Sequence, residues 1–220
     1  MKAQQNKWLS TGLAILLLST IGCQSAYYSA MEKVGLHKRD ILIDRVEKAS
    51  DSQQEAKQEF KSALEQLTTL INFDGGDLQS HYQQSETHYQ ASLQAAEEVN
   101  DRISAIEDVA QALFDEWQEE ITQYSSASLK RQSQSKLIST QGRYNTLLKA
   151  MHKAADKMPP ILATLKDNTL FLKHNLNAQA IGALKGEYQG LKQDINVLIN
   201  EMNKAISNSQ LFIDSLKTSG

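Results

Sequence analysis

Cys23 is the residue with the clearest chemical prospects, and it is the single cysteine in 220 residues. It has no disulfide partner within the chain, and it follows Gly22 at the end of an apolar run, Leu9–Ile21. A thiol in that position is a nucleophile able to accept a lipid group, and a glycine before it leaves a peptidase room to reach the bond. The other chemically capable residues fail on spacing. His81 and His88 are seven residues apart on one predicted helix face. That is about 10 Å along the axis, whereas zinc holds its ligands at about 2 Å. His152 and His174 lie farther apart still. Glu97-Glu98 and Glu119-Glu120 sit in stretches of alternating charge. They read as solvated helix faces, because acid/base catalysis needs carboxylates that converge in a cleft. Gly182-Ala-Leu-Lys-Gly-Glu187 lacks the glycine spacing and the terminal Lys-Ser/Thr of a phosphate-binding loop. No catalytic residue, metal site or cofactor is expected, and the chain is read as a non-enzyme.

Lys2 and Lys7 precede Trp8, and the apolar run after it centres on Leu13-Ala-Ile-Leu-Leu-Leu18. A bilayer-spanning helix takes roughly 20 apolar residues, so this run is too short to span and has the form of a secretory signal peptide. Its end, Thr20-Ile21-Gly22-Cys23, resembles the lipobox of bacterial lipoproteins, with Thr20 where leucine is commoner. That resemblance implies cleavage between Gly22 and Cys23 and a diacylglycerol on the Cys23 sulfur. Gln24, rather than an aspartate, then implies sorting to the outer membrane with the body in the periplasm. One acyl chain binds membranes marginally, and two or more hold firmly. The expected organisation is a signal peptide over residues 1–22 and one elongated helical domain over 23–220.

Loss of residues 1–22 removes two lysines and shifts the net charge from −3 to −5. That mild acidity argues against nucleic acid, which requires a clustered basic surface. Two prolines and ten glycines, against abundant Ala, Leu, Gln, Glu and Lys, favour helix. Lys38-Arg39 is a small basic spot close to the anchor, where anionic headgroups would be in reach, although plain solvation is the simpler account.

From Leu42 the spacing is regular. Leu42, Val46, Ala49, Gln53, Ala56, Phe60, Ala63, Leu67 and Leu70 alternate steps of four and three, a heptad seam. Phe73-Asp-Gly-Gly-Asp77 ends that helix, and Asp77 is placed to cap the next. The second seam runs from Leu78 through Tyr82, Ser85, Tyr89, Ser92, Val99 and Ile106 to Trp117 and Tyr124. Its first half is polar and aromatic, which makes Tyr82 and Tyr89 candidate partner contacts; the competing reading is a loosely packed bundle end. The third seam begins at Leu129 and Ser133, with Ser128 as expected cap, and continues to Leu172. Pro159-Pro160 should kink it. Asn177 caps the last helix, whose seam runs from Ile181 to Leu216. The four rods Tyr27–Phe73, Asp77–Tyr124, Leu129–His174 and Asn177–Lys217 have matching lengths of roughly 60–70 Å. The expected fold is all-α: an elongated antiparallel four-helix bundle with coiled-coil-like packing and a third helix kinked at Pro159-Pro160.

Three stretches carry a further resemblance: Ala26-Tyr-Tyr-Ser-Ala-Met-Glu-Lys-Val-Gly35, Lys38-Arg-Asp-Ile-Leu-Ile-Asp-Arg-Val46 and Leu172-Lys-His-Asn-Leu-Asn-Ala-Gln-Ala-Ile181. Together they resemble the domain of unknown function 2959 family, over the whole mature chain. The resemblance implies a helical envelope lipoprotein and brings no catalytic residue. The expected function is therefore a non-enzymatic, outer-membrane-tethered periplasmic scaffold or partner-binding protein. Its partners would be the membrane, through Cys23, and an envelope protein or the cell wall. Proteins of this kind are sometimes labelled DNA repair ATPases, so the alternative is a cytoplasmic coiled-coil protein associated with DNA repair.

Overall fold

The computed structural model describes residues 27, 28, 30, 31, 35–73 and 75–218. Among the described residues Tyr27, Tyr28, Ala30 and Met31 are helical, and five longer helices follow: α1 (Lys38–Ile71), α2 (Leu78–Gln123), α3 (Ala127–Ala155), α4 (Met158–His174) and α5 (Ala178–Thr218). The chain is all-α, with no strand among the described residues.

The first rod begins later than the expected Tyr27. Gly35 takes a φ of +86°, a conformation that only glycine adopts cheaply, and the Leu36 N–H donates to the Met31 carbonyl at 3.1 Å. This is the six-to-one bond of a glycine helix cap. The chain turns there, and Tyr28 packs back on the bundle. In a continuous helix Tyr28 and Arg45 would be about 25 Å apart. Instead the Arg45 Nη1 donates to the Tyr28 hydroxyl at 3.1 Å, and its guanidinium also donates to the Ala105 carbonyl of α2. The Tyr28 ring is only 3% exposed, with the Lys38 ammonium and Arg45 guanidinium 5.9 and 5.7 Å from its centroid. The rods are consequently unequal: α1 has 34 residues, α2 has 46 and α5 has 41.

Cross-helix pairs run in opposite numerical senses. Lys38 meets Glu116 at 3.0 Å, while at the other end of α1 the Gln66 amide reaches the His81 carbonyl of α2 at 3.5 Å. Lys217 meets Glu47 at 3.0 Å and Thr68 meets the Tyr188 hydroxyl at 2.9 Å, which orders α5 along α1 in the same way. Between α3 and α5, Lys153 reaches Glu201 at 3.1 Å and the Tyr144 and Phe212 rings lie 6.3 Å apart. Lys204 also bonds Glu201 at 2.9 Å. Hydrogen bonds from Lys204 and Lys153 hold the Glu201 carboxyl below the usual carboxylate range.

All nine seam positions of α1 are buried, as are all of those predicted in α5. The seam includes Gln53, which is 0% exposed with neither end of its amide bonded among the described residues. The Asp77 cap is present, its carboxylate accepting the Gln79 N–H at 3.0 Å, and Asn177 Oδ1 accepts the Ala180 N–H at 3.1 Å. The cap of α3 is Ser126 rather than Ser128, with its hydroxyl accepting the Leu129 N–H at 3.4 Å. Ser128 lies inside the first turn.

At the proline pair the third rod is two helices with one direction. Asp156 and Lys157 form a turn, tightened by a Lys157 N–H to Ala154 carbonyl bond of 3.1 Å. Met158, Pro159 and Pro160 then supply the first turn of α4, where backbone donors have no partner inside the helix and their absence costs little. The rod bends by only 16°. Met151, Ala154, Met158, Leu165 and Leu172 stay buried across the joint.

Candidate functional site

Among the described residues, α1 starts and α5 stops short of the turn that joins α2 to α3. Lys38 is level with Glu116, so the last two turns of α2 run past the beginning of α1. Tyr144 is level with Phe212, so about the first three turns of α3 run past Thr218, where α5 ends among the described residues. The hairpin of α2 and α3 overhangs, and the seam predicted there changes. Leu129 and Tyr124, expected in the core, are 52% and 43% exposed. Towards its end α2 buries Val109, Phe114 and Ile121, while Leu113 and Trp117 are half-buried. Beyond the start of α1 among the described residues, α2 meets α3 through Trp117 and Ser133.

Beneath the overhang lies an open cleft of about 670 Å³. Arg39 of α1 and Leu216 of α5 border it from below, Leu113, Trp117 and Tyr124 from α2, and Leu129, Lys136 and Arg143 from α3. The Trp117 indole N–H donates to Ser133 Oγ at 2.8 Å and so fixes the ring in the wall. Arg143 is half-buried and is oriented by hydroxyls of its own helix. Nη1 donates to Ser139 Oγ at 2.7 Å and Nη2 to Thr140 Oγ1 at 3.2 Å, while its buried Nε bonds nothing among the described residues. The lining carries Arg39, Lys136 and Arg143 against Glu116 and Glu120, and Glu116 is taken up by Lys38. Neither Lys136 nor Arg143 forms an ion pair among the described residues. The cleft thus combines two cations and the Glu120 carboxylate, none in an ion pair among the described residues, with hydroxyls and apolar walls, and its volume lies within the roughly 300–1,000 Å³ of small-molecule sites. Next along the core, Tyr144 packs edge-on against Phe114 at 5.3 Å. Burial, with the nearby Glu107 carboxylate, pushes its phenol up to about 12.

Two other concavities are poorer. A groove of about 480 Å³ between α1 and α2 is lined by Asp51, Glu55 and Glu59. Its basic residues are already paired, Lys48 with Asp44 at 2.7 Å and Arg102 with Glu98 at 2.5 Å. A void of about 20 Å³ under His88 and Asn168 is no larger than a water site.

Gly22, Cys23 and Gln24 lie outside the described residues. Tyr82 and Tyr89 are half-buried, packed against the hydrophobic core near the first turn, at the opposite end from the cleft. His81 stacks edge-on with Phe73 at 5.4 Å, and His152 pairs with Glu107 at 2.9 Å. Among the described residues no three His, Cys, Asp or Glu side chains converge on a metal position, and no helix is long and apolar enough to cross a membrane. Sequence reasoning placed Trp117 in the core and passed over Arg143. The available signal was Ser133, a hydroxyl at a seam position where an apolar side chain would suit the core.

Neither the curated proteins nor the solved structures include a significant match to this chain. Residues 27–216 match the family described as Protein of unknown function (DUF2959), covering every helix of the bundle, and the chain belongs to that family.

Proposed function

We propose that this protein is a non-enzymatic periplasmic lipoprotein, held in the outer membrane by a lipidated Cys23 and working as an envelope scaffold or partner-binding rod. The observation that carries it is Cys23 itself, a lone thiol directly after Gly22 and a short apolar run, four residues ahead of Tyr27. Gln24 favours the outer membrane. The opposed numbering of the cross-helix pairs supports an elongated antiparallel bundle of four rods with heptad packing, the third rod being α3 and α4 together. In that arrangement the α2–α3 turn faces the anchor and the other two turns point away.

The test is metabolic labelling with radioactive palmitate, wild type against Cys23→Ala, followed by membrane fractionation. Label in the wild type alone, recovered with outer membranes, supports the reading. A mature protein that begins at Met1 with a free thiol overturns it and returns the cytoplasmic, DNA-associated alternative. Crosslinking of intact cells followed by purification should capture an envelope protein or cell-wall fragment in a fixed ratio, and recovery of DNA would count against the proposal.

A further inference from the structure

The geometry points to a binding site for an anionic amphiphile, a phosphate-bearing headgroup with its acyl chain, in the cleft under the α2–α3 overhang. Its chemistry has two halves. Arg143 and Lys136 line it without ion-pair partners among the described residues, and the Arg143 guanidinium is pre-oriented by Ser139 and Thr140 with Nε buried and unbonded. A planar guanidinium fixed before binding suits a phosphate, which accepts two parallel hydrogen bonds from it. Leu113, Trp117 and Leu129 supply apolar surface for the chain, and about 670 Å³ admits one headgroup with a short stretch of hydrocarbon. Position supplies the third argument, and it rests on the anchored reading: with Cys23 lipidated, this end of the bundle faces the bilayer. Arg39, on the cleft's border, is 16 residues from Cys23.

The chain holds two tryptophans, Trp8 and Trp117. Cleavage ahead of Cys23 removes Trp8, and Trp8→Phe silences it in any uncleaved chain, so Trp117, in the cleft wall, is the sole reporter. The protein in neutral maltoside micelles is titrated with dihexanoylphosphatidylglycerol, dihexanoylphosphatidylcholine and glycerol phosphate, and Trp117 emission is followed. Saturable change with the anionic lipid, at least tenfold weaker with the zwitterionic lipid and with glycerol phosphate, is the expected result. Arg143→Gln and Lys136→Gln should each weaken binding by tenfold or more, Arg143→Lys should restore part of it, and Arg131→Gln, outside the cleft, should leave it unchanged. Equal response to the two lipids, equal binding of glycerol phosphate, or indifference to both cleft variants overturns the site. Lys136 is exposed, so its variant reports even if Arg143→Gln weakens folding. Mass analysis of Cys23 in the same preparation separates this result from the anchor: a bare thiol with intact selective binding removes the anchor and keeps the cleft.

Discussion

Gly182, Gly186 and Gly190 form a stripe along one exposed side of α5, four residues apart. A Cβ added at any of the three meets nothing within 4 Å, and none has a positive φ. The backbone and the space both admit alanine, so each glycine is a pure conformational liability in the folded monomer. Glycine costs about 0.8–1.0 kcal/mol relative to alanine in a helix interior, and the three changes together should add about 2–3 kcal/mol. For a domain of this size that raises the melting temperature by about 5–10 °C. The assay is urea unfolding followed by far-ultraviolet circular dichroism on wild type, the three single variants and the triple variant. The midpoint should climb stepwise with an unchanged slope, because the surface exposed on unfolding is almost the same. A triple variant no more stable than the wild type, or less stable, refutes the reasoning. It would mean that the stripe is held against a second surface for which the missing methyl groups are required.

Gln53→Leu should stabilise the bundle by about 1–3 kcal/mol, because the buried amide is unbonded and leucine suits a seam position; loss of stability in the same urea assay would show that the amide has a partner. Pro159→Ala with Pro160→Ala should change stability by less than about 1 kcal/mol, since both prolines lie in the first turn of α4; a loss of several kcal/mol by thermal melting would contradict that placement. The Tyr144 phenol, raised to about 12 from an ordinary 10, ties stability to alkaline pH. Below pH 10 folded and unfolded chains are both protonated there and the contribution is complete; above it the unfolded chain ionises first, so stability falls by up to about 1.4 kcal/mol per unit until the folded pKa is reached. Tyr144→Phe should flatten that fall in urea melts taken between the two values, and an unaltered slope would exclude Tyr144 as its source.

The seams of α1 and α5 were legible residue by residue, because a heptad pattern states which side of a helix must be dry. The caps at Asp77 and Asn177 were legible for a similar reason, the side chain and the amide it serves being neighbours in sequence. Leu129, Ser133 and Tyr124 were not. Their environment depends on where two other helices lie beside α2 and α3, and the start of α1 follows a turn at Gly35. The cleft exists because the rods are unequal, and seam spacing carries no information about inequality. Arg143 became visible as a candidate only once the overhang had opened the space around it.

The Tyr28 contact has a mechanical consequence. A pull arriving from the chain's beginning meets the Tyr28 ring, gripped by Lys38 and by an arginine that also holds α2, before it reaches the backbone of α1. The load enters the flank of two rods at once and is spread sideways, so the first helix is spared from peeling turn by turn.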